Sequence, residues 1–124
     1  MDLYREQILD HYKNPQNFGQ LKGADVVVKE TNASCGDEFE FFLKLDAGKI
    51  ADIKFQGVGC AISMAANSLV SEMVKGKTLQ KVKTMTEKDI FKLLGVAVNP
   101  GRVRCATLPL RALKKGLEQL KEQA

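Results

Sequence analysis

An α+β fold follows from three features of this 124-residue sequence. Apolar and polar residues alternate through residues 24–57, the period of a half-buried strand. From residue 61 onward the apolar residues recur at helical spacing instead. Strands first and helices after leave one sheet face for helices to cover. The expected architecture is a three-stranded antiparallel sheet packed with helices, preceded by an N-terminal helix and followed by a helical C-terminal half. The length suits one domain over residues 1–124.

Each element has its own signal. Residues 2–13 place Leu3, Ile8, Leu9 and Tyr12 on one helical stripe, and Asn14-Pro15 ends it. Val26 and Val28 alternate with Asp25 and Lys29. In EFEFFLKLD, Phe39, Phe41, Leu43 and Leu45 share one face while Glu38, Glu40 and Lys44 share the other. Ala51, Ile53 and Phe55 repeat the pattern after a turn at Asp46-Ala47-Gly48-Lys49, so an antiparallel meander is the simplest arrangement. Residues 61–75 set Ile62, Ala65, Ala66, Leu69, Val70 and Met73 at helical spacing, with Gly76 as the stop. Two shorter helices are expected, from Thr78 to about Met85 and from Glu87 to Leu94, closed by Gly95 and Asn99-Pro100-Gly101. The last helix carries Leu110, Leu113, Leu117 and Leu120 on one face, with Pro109 tolerated in its first turn.

Composition narrows the function classes. With 44% hydrophobic and 27% charged residues, the chain can bury a core and is not expected to be disordered. No apolar run approaches ~20 residues, so no membrane span is expected. The acidic, polar N-terminus does not suit a signal peptide. Three cysteines, an odd number, argue against a closed disulfide framework, and free thiols fit a reducing, cytoplasmic compartment. Residues 1–60 carry 7 basic against 10 acidic side chains, and residues 61–124 carry 12 against 5. A basic half invites nucleic acid, but aromatics are few and none interleave with the basic residues. A solvated lysine-rich surface is the better reading.

The cysteines carry the chemistry. In NASCGD, Cys35 sits among Ser34, Gly36 and Asp37, residues that favour turns and keep a thiol accessible. Cys60 follows Gly57-Val58-Gly59, where the third strand ends and the long helix begins. Cys105 follows Pro100-Gly101 and precedes the final helix. Three thiols at element junctions can converge on one edge of a small sheet, although lone cysteines are often just small buried hydrophobes. A thiolate at a helix N-terminus is also favoured by the free backbone N–H groups there. His11, the single histidine, lies on the first helix far in sequence from the thiols and is read as a helix-end residue.

Cys35, Cys60, Cys105 and Asp37 make a four-donor set. Three thiolates and a carboxylate suit zinc, and the same thiols suit an iron–sulfur cluster. A hard carboxylate anchors such a cluster more weakly than a fourth thiolate, which favours release over storage. A purely structural zinc site is a further reading, against which the carboxylate speaks, because such sites are usually closed Cys/His sets.

The stretches DHYKNPQNFG (10–19), NASCGD (32–37), GVGCAIS (57–63), SLVSEMVKGKTL (68–79) and RVRCATLPLRAL (102–113) together resemble the U-type iron–sulfur scaffold family. That family comprises IscU, SufU and the N-terminal domain of NifU. The resemblance runs over nearly the whole chain and implies a three-stranded antiparallel sheet packed with helices. It implies Cys35, Asp37, Cys60 and Cys105 as ligands. It also implies a cysteine desulfurase as sulfur donor and apo iron–sulfur proteins as recipients. The cargo would be a [2Fe–2S] or other cluster, with zinc bound in the protein as isolated. Monomer and homodimer both stay open.

Two branches of the family meet in this sequence. IscU-like members have His before the third cysteine, whereas Arg104 here resembles SufU and cannot ligate a metal. SufU-like members usually carry an insertion of about twenty residues between the second and third cysteines, as the resemblance implies. The 45-residue step from Cys60 to Cys105 is too short for it. A non-enzymatic scaffold is the leading reading, and a zinc-dependent sulfurtransferase, a persulfide acceptor for the desulfurase, is the alternative. VNPGRVRC (98–105) keeps Pro100 and has Arg102 for a lysine, but lacks the rest of the chaperone-binding stretch of IscU-like members, so chaperone binding is not expected. Arg104 is expected to favour the Cys105 thiolate, to pair with Asp37 when no metal is bound, and so to make Cys105 the first persulfide acceptor.

Overall fold

A computed structural model describes residues 3–34, 36–95 and 100–123; Cys35 and the Asn99 of the expected turn lie outside the described residues. The order is α1 (Leu3–Lys13), β1 (Val26–Asn32), β2 (Asp37–Asp46), β3 (Lys49–Val58), α2 (Ala61–Val74), α3 (Leu79–Lys83), α4 (Glu87–Leu94), α5 (Val103–Ala106) and α6 (Leu108–Gln123). A 3₁₀ turn, Pro100–Arg102, leads into α5. The three strands form one antiparallel meander in the order β1-β2-β3, as the alternation predicts.

Register explains which face is buried. Val28 pairs with Phe41, and Phe41 with Phe55, so three apolar side chains lie abreast on the inner face. Phe41 stacks on Phe55, and Phe18 and Phe39 meet the same ring edge-on. Phe39, Phe41 and Phe55 are fully buried, and each contributes roughly 1.5–3 kcal/mol. A register shift between Lys44 and Leu45 sets Leu45 opposite Ile50. The bulge turns Ile50 inward and Ala51 outward, so the expected inward Ala51 is replaced by Ile50 at the strand's start. The β2–β3 turn takes positive φ at Ala47 and Gly48, the twist a tight hairpin needs.

α2 and α6 cover the inner face, α6 against β1 and α2 against β3. Gly116 lets α6 come close: a Cβ there would stand 3.1 Å from Val26. α1 packs on α2, burying Ile8 but leaving Leu9 and Tyr12 largely exposed, which narrows the stripe expected from the sequence. His11 reaches across to α2, with Nδ1 2.6 Å from Ser68 Oγ and Nε2 3.7 Å from Glu72. α3 is capped by Thr78, and α4 opens on a capping box of Thr86 and Asp89 and closes on left-handed Gly95. The last helical stretch is broken at Thr107, so Cys105 stands on its own short helix.

Candidate metal centre

Asp37 opens β2 and is the register partner of Asn32, the last residue of β1. Although 2% exposed, its carboxylate is well provided with donors. Oδ1 accepts the backbone N–H of Cys60 at 2.9 Å and the hydroxyl of Ser63 at 2.9 Å. Among the described residues Oδ2 accepts the Asn32 amide alone, at 3.2 Å. A carboxylate oxygen so lightly engaged keeps lone-pair capacity for a metal.

Cys60 is the N-cap of α2, in extended backbone, and its Sγ accepts the Ser63 N–H at 3.4 Å. The thiol thus takes the place of the usual hydroxyl or carboxylate cap. Gly59 makes this junction possible. A Cβ there would lie 2.5 Å from Ser63 Oγ, 2.6 Å from Asp37 Oδ1 and 2.6 Å from the Phe39 ring. Gly57, at φ +143°, could not carry a side chain either, because a Cβ would run into the β2 backbone at Glu38 and Phe39.

Cys105 is fully buried on α5, and Asn32 Nδ2 lies 3.4 Å from its sulfur. The donor atoms of Asp37, Cys60 and Cys105 all lie within 4.8 Å of one another. Tetrahedral bonds of about 2.3 Å would set neighbouring ligands roughly 3.8 Å apart, so closure by about an ångström completes a site. The donor set fits zinc and fits thiolate-held iron.

Arg104 is placed differently from its expected pairing. Its side chain is exposed, and among the described residues no ion pair joins it to Asp37, whose oxygens are engaged by Asn32, Cys60 and Ser63. The cation that underlies the site is Arg111. Its guanidinium donates to Thr107 Oγ1 at 2.8 Å and to the Arg104 carbonyl at 2.9 Å, bracing the segment that carries Cys105. Burial and, after it, neighbouring Arg104 lower its pKa, opposed by the charges of Glu30, Asp37 and Cys105.

Asn32, Ser63 and Arg111 are the supporting residues that the motif reading did not single out. Ser63 had a readable signal, standing three residues after Cys60 at a helix start, the spacing of a capping pair. Arg111 stands four and seven residues beyond Thr107 and Arg104, one helical face. Asn32 had none, because its role depends on the strand register.

The chain matches the model of the NifU-like N-terminal domain over residues 3–124. It is 39% identical to the zinc-dependent sulfurtransferase SufU of Bacillus subtilis over 132 aligned positions, covering 93% of this chain and 89% of that protein. It is 34% identical to the iron–sulfur cluster assembly scaffold protein IscU 1 of Archaeoglobus fulgidus over 115 positions, covering 93% of this chain and 74% of that protein. The SufU alignment is longer than this whole chain, so that relative holds internal residues that this one lacks. The crystal structure of an iron–sulfur cluster assembly scaffold protein for the SUF system from Fervidobacterium islandicum superposes with a TM-score of 0.79 at 34% identity, covering 90% of this chain and 94% of that one.

Proposed function

Because the chain belongs to the NifU-like N-terminal domain family, we propose that it is an iron–sulfur cluster assembly scaffold, accepting sulfur from a cysteine desulfurase and passing a labile cluster to apo-proteins. The observation that carries this reading is the convergence of Asp37, Cys60 and Cys105 within 4.8 Å. Cys35, two residues before Asp37, is proposed as the third thiolate. A cytoplasmic, reducing setting would keep these thiols free.

The residues divide the work. Three soft thiolates take up iron and sulfide as cargo, while the hard Asp37 oxygen holds one position weakly and gives it up first. Asn32, Ser63 and the Cys60 N–H aim that carboxylate, and its tether to the β3–α2 junction keeps it in place when cargo leaves. Arg111 supplies positive charge beside an anionic ligand set.

The test is anaerobic reconstitution with ferrous iron and sulfide, followed by mixing with an apo-ferredoxin. A scaffold gains the visible absorption of a cluster and loses it as the ferredoxin gains its own. A chain that forms no cluster at equimolar iron, or that never yields it, is not one.

The second reading, a zinc-dependent sulfurtransferase, is favoured by Arg104 and by the similarity to SufU of Bacillus subtilis. Zinc held by Asp37, Cys60, Cys105 and Cys35 would keep the thiols deprotonated at neutral pH. In this reading a cysteine thiolate of the chain attacks the outer sulfur of the desulfurase persulfide. A new S–S bond forms as the old one breaks, and the desulfurase cysteine leaves as thiolate, so the exchange needs no oxidant. Zinc-loaded protein that accelerates desulfurase turnover without iron supports it.

A further inference from the structure

At the end of α2 remote from Cys60, a cavity of about 320 Å³ opens between α2, α3 and α4. Fourteen helical residues separate the two ends, roughly 21 Å at 1.5 Å per residue. Met73, Val82, Met85 and Leu93 give the cavity an apolar floor. Lys77, Lys81 and Lys92 stand at its rim, all exposed. Among the described residues none of these three lysines has an ion-pair partner. Asp89, the one carboxylate in the lining, already accepts the Thr86 N–H at 2.8 Å in the capping box.

We propose that this cavity docks an acidic segment of a partner protein, with one bulky apolar side chain seated on the floor and carboxylates on either side. The charge pattern selects the occupant. Three unpaired ammonium groups around an apolar hollow complement a peptide whose Asp and Glu flank an apolar anchor. They belong to a half of the chain with 12 basic against 5 acidic side chains. A small-molecule site would offer fixed polar groups inside the cavity, whereas here the charges are mobile points on long stems outside it. Methionines at two floor positions suit a surface that adapts to a side chain of another protein. A partner held here leaves the cysteine end of α2 open for cargo.

The test uses the ¹⁵N-labelled full-length chain and a synthetic acidic peptide of about twelve residues, with a central Phe flanked by Glu and Asp. The expected amide shifts cluster in residues 73–93 and leave those around Cys60 and Cys105 unmoved. The double variant Lys81→Glu/Lys92→Glu, checked for an unchanged fold by circular dichroism, should weaken binding by roughly tenfold or more. Lys114→Glu/Lys115→Glu should not, and replacing the peptide's Phe with Ala should weaken it. Equal binding by Lys81→Glu/Lys92→Glu, or shifts centred on the cysteines, overturns the proposal. So does binding to phosphatidylglycerol vesicles with none to the peptide. None of these readouts depends on metal or cluster, so they separate this proposal from the scaffold reading.

Discussion

Asn32 and Cys105 meet across the site: the amide Nδ2 of Asn32 lies 3.4 Å from the Cys105 sulfur while also donating to Asp37 Oδ2 at 3.2 Å. One side chain at the end of β1 therefore sets the spacing of two donor atoms that are distant in sequence. Ser34 fixes the amide in turn, its hydroxyl donating to Asn32 Oδ1 at 2.9 Å. Asn32→Ala should lower zinc affinity by about tenfold or more, the usual effect of losing an outer-shell partner. Chelator competition measures it, and parental affinity would show that the amide does not hold the donors.

Asp37→Ala tests release. Without the weak donor, a reconstituted cluster should persist longer and pass more slowly to apo-ferredoxin, followed by the visible absorption of each. The structure adds a cost: the Cys60 N–H, Ser63 hydroxyl and Asn32 amide lose their acceptor, so the chain should lose about 1–3 kcal/mol while keeping its fold. A cluster that decays faster than in the parent would make Asp37 an anchor.

Gly59→Ala is the smallest change that should break the junction. Its Cβ would meet Ser63, Asp37 and Phe39 at 2.5–2.6 Å. The substitution should cost about 1–3 kcal/mol in thermal or urea unfolding and reduce zinc binding with it. Normal metal binding in this variant would mean that the Asp37–Cys60 geometry is looser than its hydrogen bonds indicate.

Arg111 separates charge from geometry. Arg111→Lys keeps the cation but loses the planar fork that reaches both Thr107 and the Arg104 carbonyl, and Arg111→Gln loses both. If bracing of the α5 segment dominates, the two variants should lose stability alike, by about 1–3 kcal/mol. If charge beside the ligands dominates, Gln should weaken zinc and cluster binding clearly more than Lys. Parental stability and affinity in both would remove Arg111 from the site.

Persulfide trapping orders the thiols. Cys105 with Arg104 beside it in sequence is the proposed first acceptor, but its sulfur is fully buried, so attack there requires the desulfurase to open the α5 segment. Cys60, partly exposed at the start of α2, needs no such opening. Alkylation and mass spectrometry of the parent and Arg104→Ala should show Cys105 labelled first, and less in the variant. First labelling at Cys60 or Cys35, or unchanged Cys105 labelling in Arg104→Ala, would assign the role elsewhere.

The strands were legible because EFEFFLKLD alternates without a break and each turn carries its own glycine or proline. The junction at Cys60 was legible because Gly57 and Gly59 flag close backbone approach. Ala51 misled because a bulge changes the side-chain period without marking the composition. Asn32 was hidden for another reason. A polar side chain at a strand end looks solvated until register and packing place an acceptor beside it. The pairing of Arg104 with Asp37 failed on the same ground, since adjacency to Cys105 in sequence says nothing of direction on a short helix.

The meander pairs neighbours in sequence, whereas the proposed metal centre also draws on Cys105, on a segment far along the chain. Synthesis proceeds from the N-terminus, so the hairpins and Cys60 leave the ribosome while the last cysteine is still to be made. Until the segment that carries Cys105 has packed against the end of β1, the sheet edge displays an incomplete donor set. Completion of the proposed donor set is thereby ordered in time, waiting on the C-terminal helices that carry and brace Cys105.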